Sequence, residues 1–265
     1  MPASLRLFLY EFWWFGLKQA SACIFAGLLL AAIIVSHLWY PVTAVARYDA
    51  LFVIAVLLQV GLLATRLEDR RDALVILVFH VVATGMEVFK TSDAIRAWHY
   101  PDGGLLRLGN VPLFAGFMYS AVGSYISRVW ALFDFRFTAF PSLPVVGVLA
   151  AAIYANFFTH HYLPDARWVI LALVVWYLRS TWVHFRIDRV HRRMPLLLGL
   201  TLVALFIWFA ENIATYCRVW FYPSQTQGWT VVSPQKIVAW FLLMFVSFVL
   251  IAAIRRVRTP DPVEG

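Results

Sequence analysis

Residues 85–101, GMEVFKTSDAIRAWHYP, decide how this chain is read. An apolar run leads into the stretch, and within it stand an acid, Glu87, and three residues later a base, Lys90. The aromatic-proline cluster Trp98, His99, Tyr100 and Pro101 follows. Ionisable groups at the end of an apolar helix, followed by Trp and Tyr, fit a membrane span reaching its interface.

The surrounding composition sets the class. Of 265 residues, 62% are hydrophobic and 14% charged, whereas soluble domains are about half apolar and about a quarter charged. Eight apolar segments are predicted to cross a hydrocarbon core of ~30 Å, at 19–39, 49–65, 72–89, 111–128, 144–159, 165–184, 195–216 and 234–254. The expected fold class is therefore an all-α polytopic membrane bundle.

The net charge of +8 belongs to the connections between these spans rather than to a basic module for nucleic acid. Arg47, Lys90, Arg96, Arg107, Arg167, Arg218 and Lys236 fall on one side, and the rest of the 22 Lys and Arg fall on the other. An excess of positive charge marks the cytoplasmic side, so both termini are expected there. Cys23 and Cys217 are then near opposite faces and are not expected to pair. A cleavable signal peptide is not expected, because Glu11 and Lys18 interrupt the segment before Ala20–Ala22. Ser4, Glu11 and Lys18 leave a narrow polar stripe on an otherwise apolar helix, expected to lie in the interface.

The opening stretch has a partner further along. RAWHYP at 96–101 is answered by RVWFYP at 218–223, and EVFKT at 87–91 by ENIAT at 211–215. TRLEDR at 65–70, ARY at 46–48 and LLAAI at 29–33 are answered in the same order by FRIDR at 185–189, ARW at 166–168 and LAAAI at 149–153. An internal duplication of four spans each follows, with the copies related by an axis along the membrane normal. The organisation expected is an interfacial helix over 1–18, repeats over 19–140 and 141–256, and a cytoplasmic tail over 257–265.

In that frame the polar residues gather near one face. Glu87 lies fifteen residues, or ~22 Å, along its span, and Glu211 stands at the matching position of the second half. If the two carboxyls approach each other, one can carry a proton while the other does not, the arrangement for acid/base work on an apolar substrate. Glu87 and Glu211 are thus the candidate catalytic residues. Lys90, His99, Tyr119, His160, Asn212 and Tyr216 are the candidate polar, substrate-facing set. An i,i+3 ion pair between Glu87 and Lys90 and a satisfied core role for His80 are the plain alternatives. Gly116, Ser120 and Ser124 have the spacing of close helix packing. His160, His161 and Asp165 converge at a hairpin and superficially resemble a metal site, but no HExxH motif and no cysteine cluster accompanies them. No metal or other cofactor is expected.

The stretch 87–101, with GNVPLFAGFMYSAVGSY at 109–125, resembles the YoaT-like family of uncharacterised bacterial integral membrane proteins. That resemblance implies a bacterial cytoplasmic-membrane location and no known activity. The aromatic-x-Tyr-Pro cluster followed by GNVPL is also similar to the membrane domain of bacterial lycopene cyclases and carotenoid hydratases. That similarity implies protonation of a polyene by carboxylates. Here the segment after Val111 reads PLFAG, without the acidic pair expected there, which leaves Glu87 and Glu211 as the acids. The expected activity is acid/base chemistry on a lipid or isoprenoid near the outer leaflet. A proton-coupled transporter and a non-catalytic scaffold are the alternatives. Partners expected are a membrane lipid or apolar small molecule and, as a possibility of the fold, a second copy of the chain.

Overall fold

Long runs of Leu, Ala, Ile, Val and Phe without interior proline make helices at each predicted position. The computed structural model describes residues 3–42, 44–68 and 70–260. Its helices are α1 (Ala3–Ala22), α2 (Ile24–Leu38), α3 (Arg47–Ala64), α4 (Arg70–Lys90), α5 (Ala115–Leu132), α6 (Leu143–Thr159), α7 (Arg167–Leu178), α8 (Leu196–Tyr216) and α9 (Lys236–Arg255). Residues 1–2 of the expected interfacial helix and 261–265 of the expected tail lie outside the described residues.

Four helices, α3, α4, α8 and α9, are long and apolar enough to cross a membrane. The pair α1–α2, bent by 65° at Cys23, makes a fifth if taken as one span. The helices α6 and α7 are apolar but shorter, at 17 and 12 residues. Outward faces are as apolar as inward ones: Leu57, Val81 and Phe206 are 63%, 62% and 72% exposed. A surface of that kind is compatible with lipid contact.

The seventh predicted segment, 165–184, runs past its helix. Helix α7 stops at Leu178, where the Arg179 guanidinium folds back over the Trp176 ring at 3.7 Å. Residues 182–186 then form a strand, β4 (Trp182–Arg186), between β3 (Arg136–Thr138) and β5 (His191–Pro195). Both pairings are antiparallel, with Phe137 opposite Val183 and Val183 opposite Met194. Aromatic and β-branched residues favour the pleated surface, and Phe137 and Val183 are buried beneath it. A short hairpin, β1 (Arg107–Leu108) with β2 (Val111–Pro112), precedes α5. The chain is thus mostly helical, with a small sheet that the expected all-α class did not include.

Helix α1 turns Glu11 and Lys18 of its polar stripe inward and leaves Ser4 exposed. Glu11 is buried and accepts the Arg189 backbone N–H at 3.0 Å, while Lys18 donates to the Leu132 carbonyl at 2.8 Å. Phe8, Phe12 and Trp13 face outward. The centre of the bundle is α5, which packs on α4, α9, α1 and α2. Close approach needs Gly116 and Gly123: a Cβ at Gly116 would stand 2.4 Å from His80 Nδ1, and one at Gly123 2.9 Å from the Phe79 ring. Small residues let helix backbones approach in this way.

Candidate functional site

The site begins at the two corners that follow α4 and α8. Helix α4 gives way to a turn in which Ala97 N–H reaches the Lys90 carbonyl at 2.9 Å. Helix α8 ends likewise, with Val219 N–H on the Ala214 carbonyl at 3.0 Å. Arg96 and Arg218 occupy the same place in the two motifs and both take positive φ, 49° and 58°. For a residue with a Cβ this conformation costs ~1–2 kcal/mol. The motifs then meet: His99 and Phe221 exchange backbone hydrogen bonds of 3.0 and 2.9 Å in an antiparallel bridge.

This junction aims tyrosines back at the glutamates. Tyr100 Oη donates to Glu87 Oε2 at 2.8 Å, and Tyr222 Oη donates to Glu211 Oε1 at 2.5 Å. The helix following each glutamate supplies a further donor. Tyr119 of α5 donates to Glu87 Oε1 at 2.7 Å, and Trp240 Nε1 of α9 donates to Glu211 Oε2 at 2.8 Å. Trp98 Nε1 adds a third bond to Glu87, at 2.9 Å on Oε2. Both glutamates are buried, and all four of their carboxylate oxygens accept hydrogen bonds from uncharged donors. Donors of this kind are what a buried carboxylate needs in place of water. Burial and then the Glu87 charge push the Tyr100 hydroxyl well above its usual range, and burial and the Glu211 charge do the same to Tyr222. Both phenols therefore keep their protons and act as donors.

The remaining predicted residues divide. Lys90 turns away from Glu87, so the helix-end ion pair is replaced by contacts of its ammonium with His161 Nε2 at 2.9 Å and His160 Nε2 at 3.4 Å. The His160 Nδ1 sits 2.8 Å from the Asn156 carbonyl, which fixes that nitrogen as the donor and leaves Nε2 to accept from Lys90. His161 is largely exposed; partial desolvation first, then the Lys90 charge, brings it down to about 4. Asp165 does not join the histidines. Burial works against its charged form, but the Asn156 amide and the Arg167 N–H and guanidinium hold it below the usual range. His99 stands outside the carboxylate clasp, its ring 5.4 Å from Phe221. Asn212 holds the loop after α8, donating to the Trp208 carbonyl at 2.8 Å and accepting Val232 N–H at 2.9 Å. Tyr216 is exposed, beside His37 and Trp229.

An apolar cleft of about 40 Å³ opens beside the carboxylates. Phe79, Met86, Val122, Ile207 and Leu243 line it, and so do Tyr119 and Trp240. These last two rings lie 6.2 Å apart and connect the two glutamates. The cleft therefore touches both carboxylates through their own donors.

Sequence reasoning named the glutamates and Tyr119 but left out Trp98, Tyr100, Tyr222 and Trp240. The repeated W-x-Y-P spacing carried the signal for the first three. Trp240 is 29 residues from Glu211, and nothing local announces it. A further buried acid, Glu68, also went unread: it accepts from Ser124 Oγ at 2.5 Å and from Gln59 Nε2 at 2.6 Å.

Comparison with known proteins gives a family and no activity. The uncharacterised protein YoaT of Bacillus subtilis (strain 168) is 38% identical over 251 residues, which cover 95% of this chain and 94% of its own length. No solved structure matches. A family model described as "Protein of unknown function (DUF817)" matches residues 11–248. The clasped glutamates thus sit within the matched region, and the chain belongs to the DUF817 family of proteins of unknown function.

Proposed function

We propose that the chain is an integral membrane enzyme that performs acid/base chemistry on an apolar substrate of the lipid or isoprenoid class. One observation carries the proposal. Two buried glutamates, each clasped by uncharged donors, meet the wall of a single apolar cleft through Tyr119 and Trp240. The proton comes from Glu87 in its protonated form: Glu87 passes it to the Tyr119 oxygen as the Tyr119 hydroxyl gives its own proton to a carbon–carbon double bond, which leaves a Glu87 carboxylate and a neutral Tyr119. The face of Trp240, backed by the Glu211 carboxylate, steadies the positive charge that develops on the substrate. Loss of a proton from the neighbouring carbon to the same Tyr119–Glu87 pair closes the cycle, so the net change is a shift or closure of the double bond with no oxidant required.

The same proposal takes the bundle as eight crossings in two parallel halves in the bacterial cytoplasmic membrane, with both termini inside. The matched corners at Arg96 and Arg218 and the bridge between His99 and Phe221 support the duplication. The distribution of Lys and Arg supports the orientation. His80, past which a polar path to the inner side would run, packs on the Phe117 ring at 4.6 Å, which favours the enzyme over a transporter.

The test is lipid extraction and mass spectrometry of cells with and without the gene. An isoprenoid or lipid that accumulates in the deletion, with a double-bond isomer or cyclised product missing, is expected; identical profiles refute an enzymatic role. A second reading, a non-catalytic clasp between the halves, rests on the full occupation of all four carboxylate oxygens. It predicts lost stability in glutamate variants with an unchanged lipid profile.

A further inference from the structure

Lys90 and Lys236 stand outside the apolar cleft, each one helical turn beyond a residue that lines it. From Met86 at the cleft to Lys90 is one helical turn, ~6 Å, and Trp240 to Lys236 is the same step on α9. Lys90 is buried at 4% exposure, yet among the described residues none of the ion pairs includes it. Its ammonium contacts two imidazoles, tilted against each other with centroids 4.1 Å apart. The nearby acid, Asp165, is committed to Asn156 and Arg167. Lys236 lies over the Tyr222 ring at 4.1 Å and the Trp98 ring at 5.9 Å. A buried ammonium held only by neutral groups is costly to desolvate unless an anion joins it.

From this juxtaposition we infer that the site takes a phosphate-bearing lipid: Lys90, His160, His161 and Lys236 hold the anionic head group, and the first carbons of the hydrocarbon chain reach the small cleft beside Met86 and Tyr119 while the rest of the chain lies outside it. The inference deepens the proposed function and rests on it for the place of the substrate. It adds the head-group class. A phosphate oxygen meets Lys90 and Lys236 as charge-assisted hydrogen bonds. His161, exposed at the rim, supplies a further ring nitrogen. The reacting double bond is then one that lies close to the phosphate end of the chain, because only about one turn separates Lys90 from the level of the cleft.

The experiment uses the full chain in nanodiscs of neutral lipid, with thermal unfolding followed by tryptophan fluorescence. The probes are dioleoyl phosphatidic acid, dioleoylglycerol and inorganic phosphate. Phosphatidic acid is expected to raise the midpoint by a few degrees through mass action, and the other two are expected to leave it unchanged. In Lys90→Gln the shift disappears, and in His161→Gln, a change at an exposed side chain that leaves folding intact, it shrinks. An equal shift with dioleoylglycerol, or an undiminished shift in both variants, overturns the inference. A shift with inorganic phosphate equal to that with phosphatidic acid assigns the site to a free anion and overturns the lipid assignment. The Glu87→Gln variant still binds phosphatidic acid on this account. Intact binding with an unaltered cellular lipid profile would therefore sink the proposed reaction and leave the head-group site standing, whereas lost binding with intact turnover would do the reverse.

Discussion

Glu87 and Glu211 hold matching positions and are not held alike. Each receives a tyrosine from its own W-x-Y-P motif and a donor from the next helix. Glu87 receives a third donor, Trp98, and forms no ion pair among the described residues. Glu211 has two donors and a lysine, Lys236, close enough to act on it through charge. The cation on α4 goes elsewhere, since Lys90 turns to the histidines, and its counterpart on α8 is the buried Ala214. The clasp of uncharged donors is what the two motifs share. The cations are where they diverge, Lys90 meeting the histidines and Lys236 lying over the Tyr222 ring.

Removing a whole carboxylate should break the comparison most. Glu87→Ala strands three buried donors and Glu211→Ala two; at about 1–3 kcal/mol for each unsatisfied group, the first variant is expected to lose more stability. Thermal unfolding of the purified variants checks the order, and equal losses would mean that Trp98 adds nothing. Next come the tyrosines. Tyr222→Phe and Tyr100→Phe each delete one hydrogen bond to a buried acid, worth roughly 1.5–3 kcal/mol. The larger loss is expected for Tyr222, because Glu211 keeps only Trp240 afterwards. A larger loss for Tyr100 would reverse the assignment of which clasp is redundant.

A pH series sharpens the contrast at the histidines. His161 is lowered to about 4 from the ordinary 6.5, partial desolvation acting before the Lys90 charge. A base held neutral in the fold takes up its proton more readily when unfolded. Its contribution is therefore present above pH 6.5 and lost as pH falls towards 4. The wild-type midpoint should drop faster over that interval than the midpoint of His161→Gln, which has nothing to titrate there. Parallel curves would show that the fold does not lower His161. The smallest effect is expected for Trp98→Phe, about 1 kcal/mol, because two donors remain on Glu87.

How much of this could be read from the sequence depended on whether the signal was local. Helices α3, α4, α8 and α9 were legible because each is a long apolar run with its charges at the ends. The end of α7 was not, since Trp182, Val183 and Phe185 continue the apolar composition while changing its period from helix to strand. Glu87 and Glu211 stood out as acids inside apolar segments. Their partners did not, because Trp and Tyr near a span end read as an interfacial belt whether or not they donate to anything. The polar stripe of α1 was visible, yet its direction was not: Glu11 pairs with backbone N–H groups 177 and 178 residues away, and no window of sequence contains that contact.

Complementation of the gene deletion, read by lipid mass spectrometry, tests the central claim most directly. Wild-type protein should restore the deletion's altered lipid, while Glu87→Gln and Tyr119→Phe, present in the membrane at the same level, should not. Restoration by both variants would contradict the account and leave the two clasped glutamates as a structural joint.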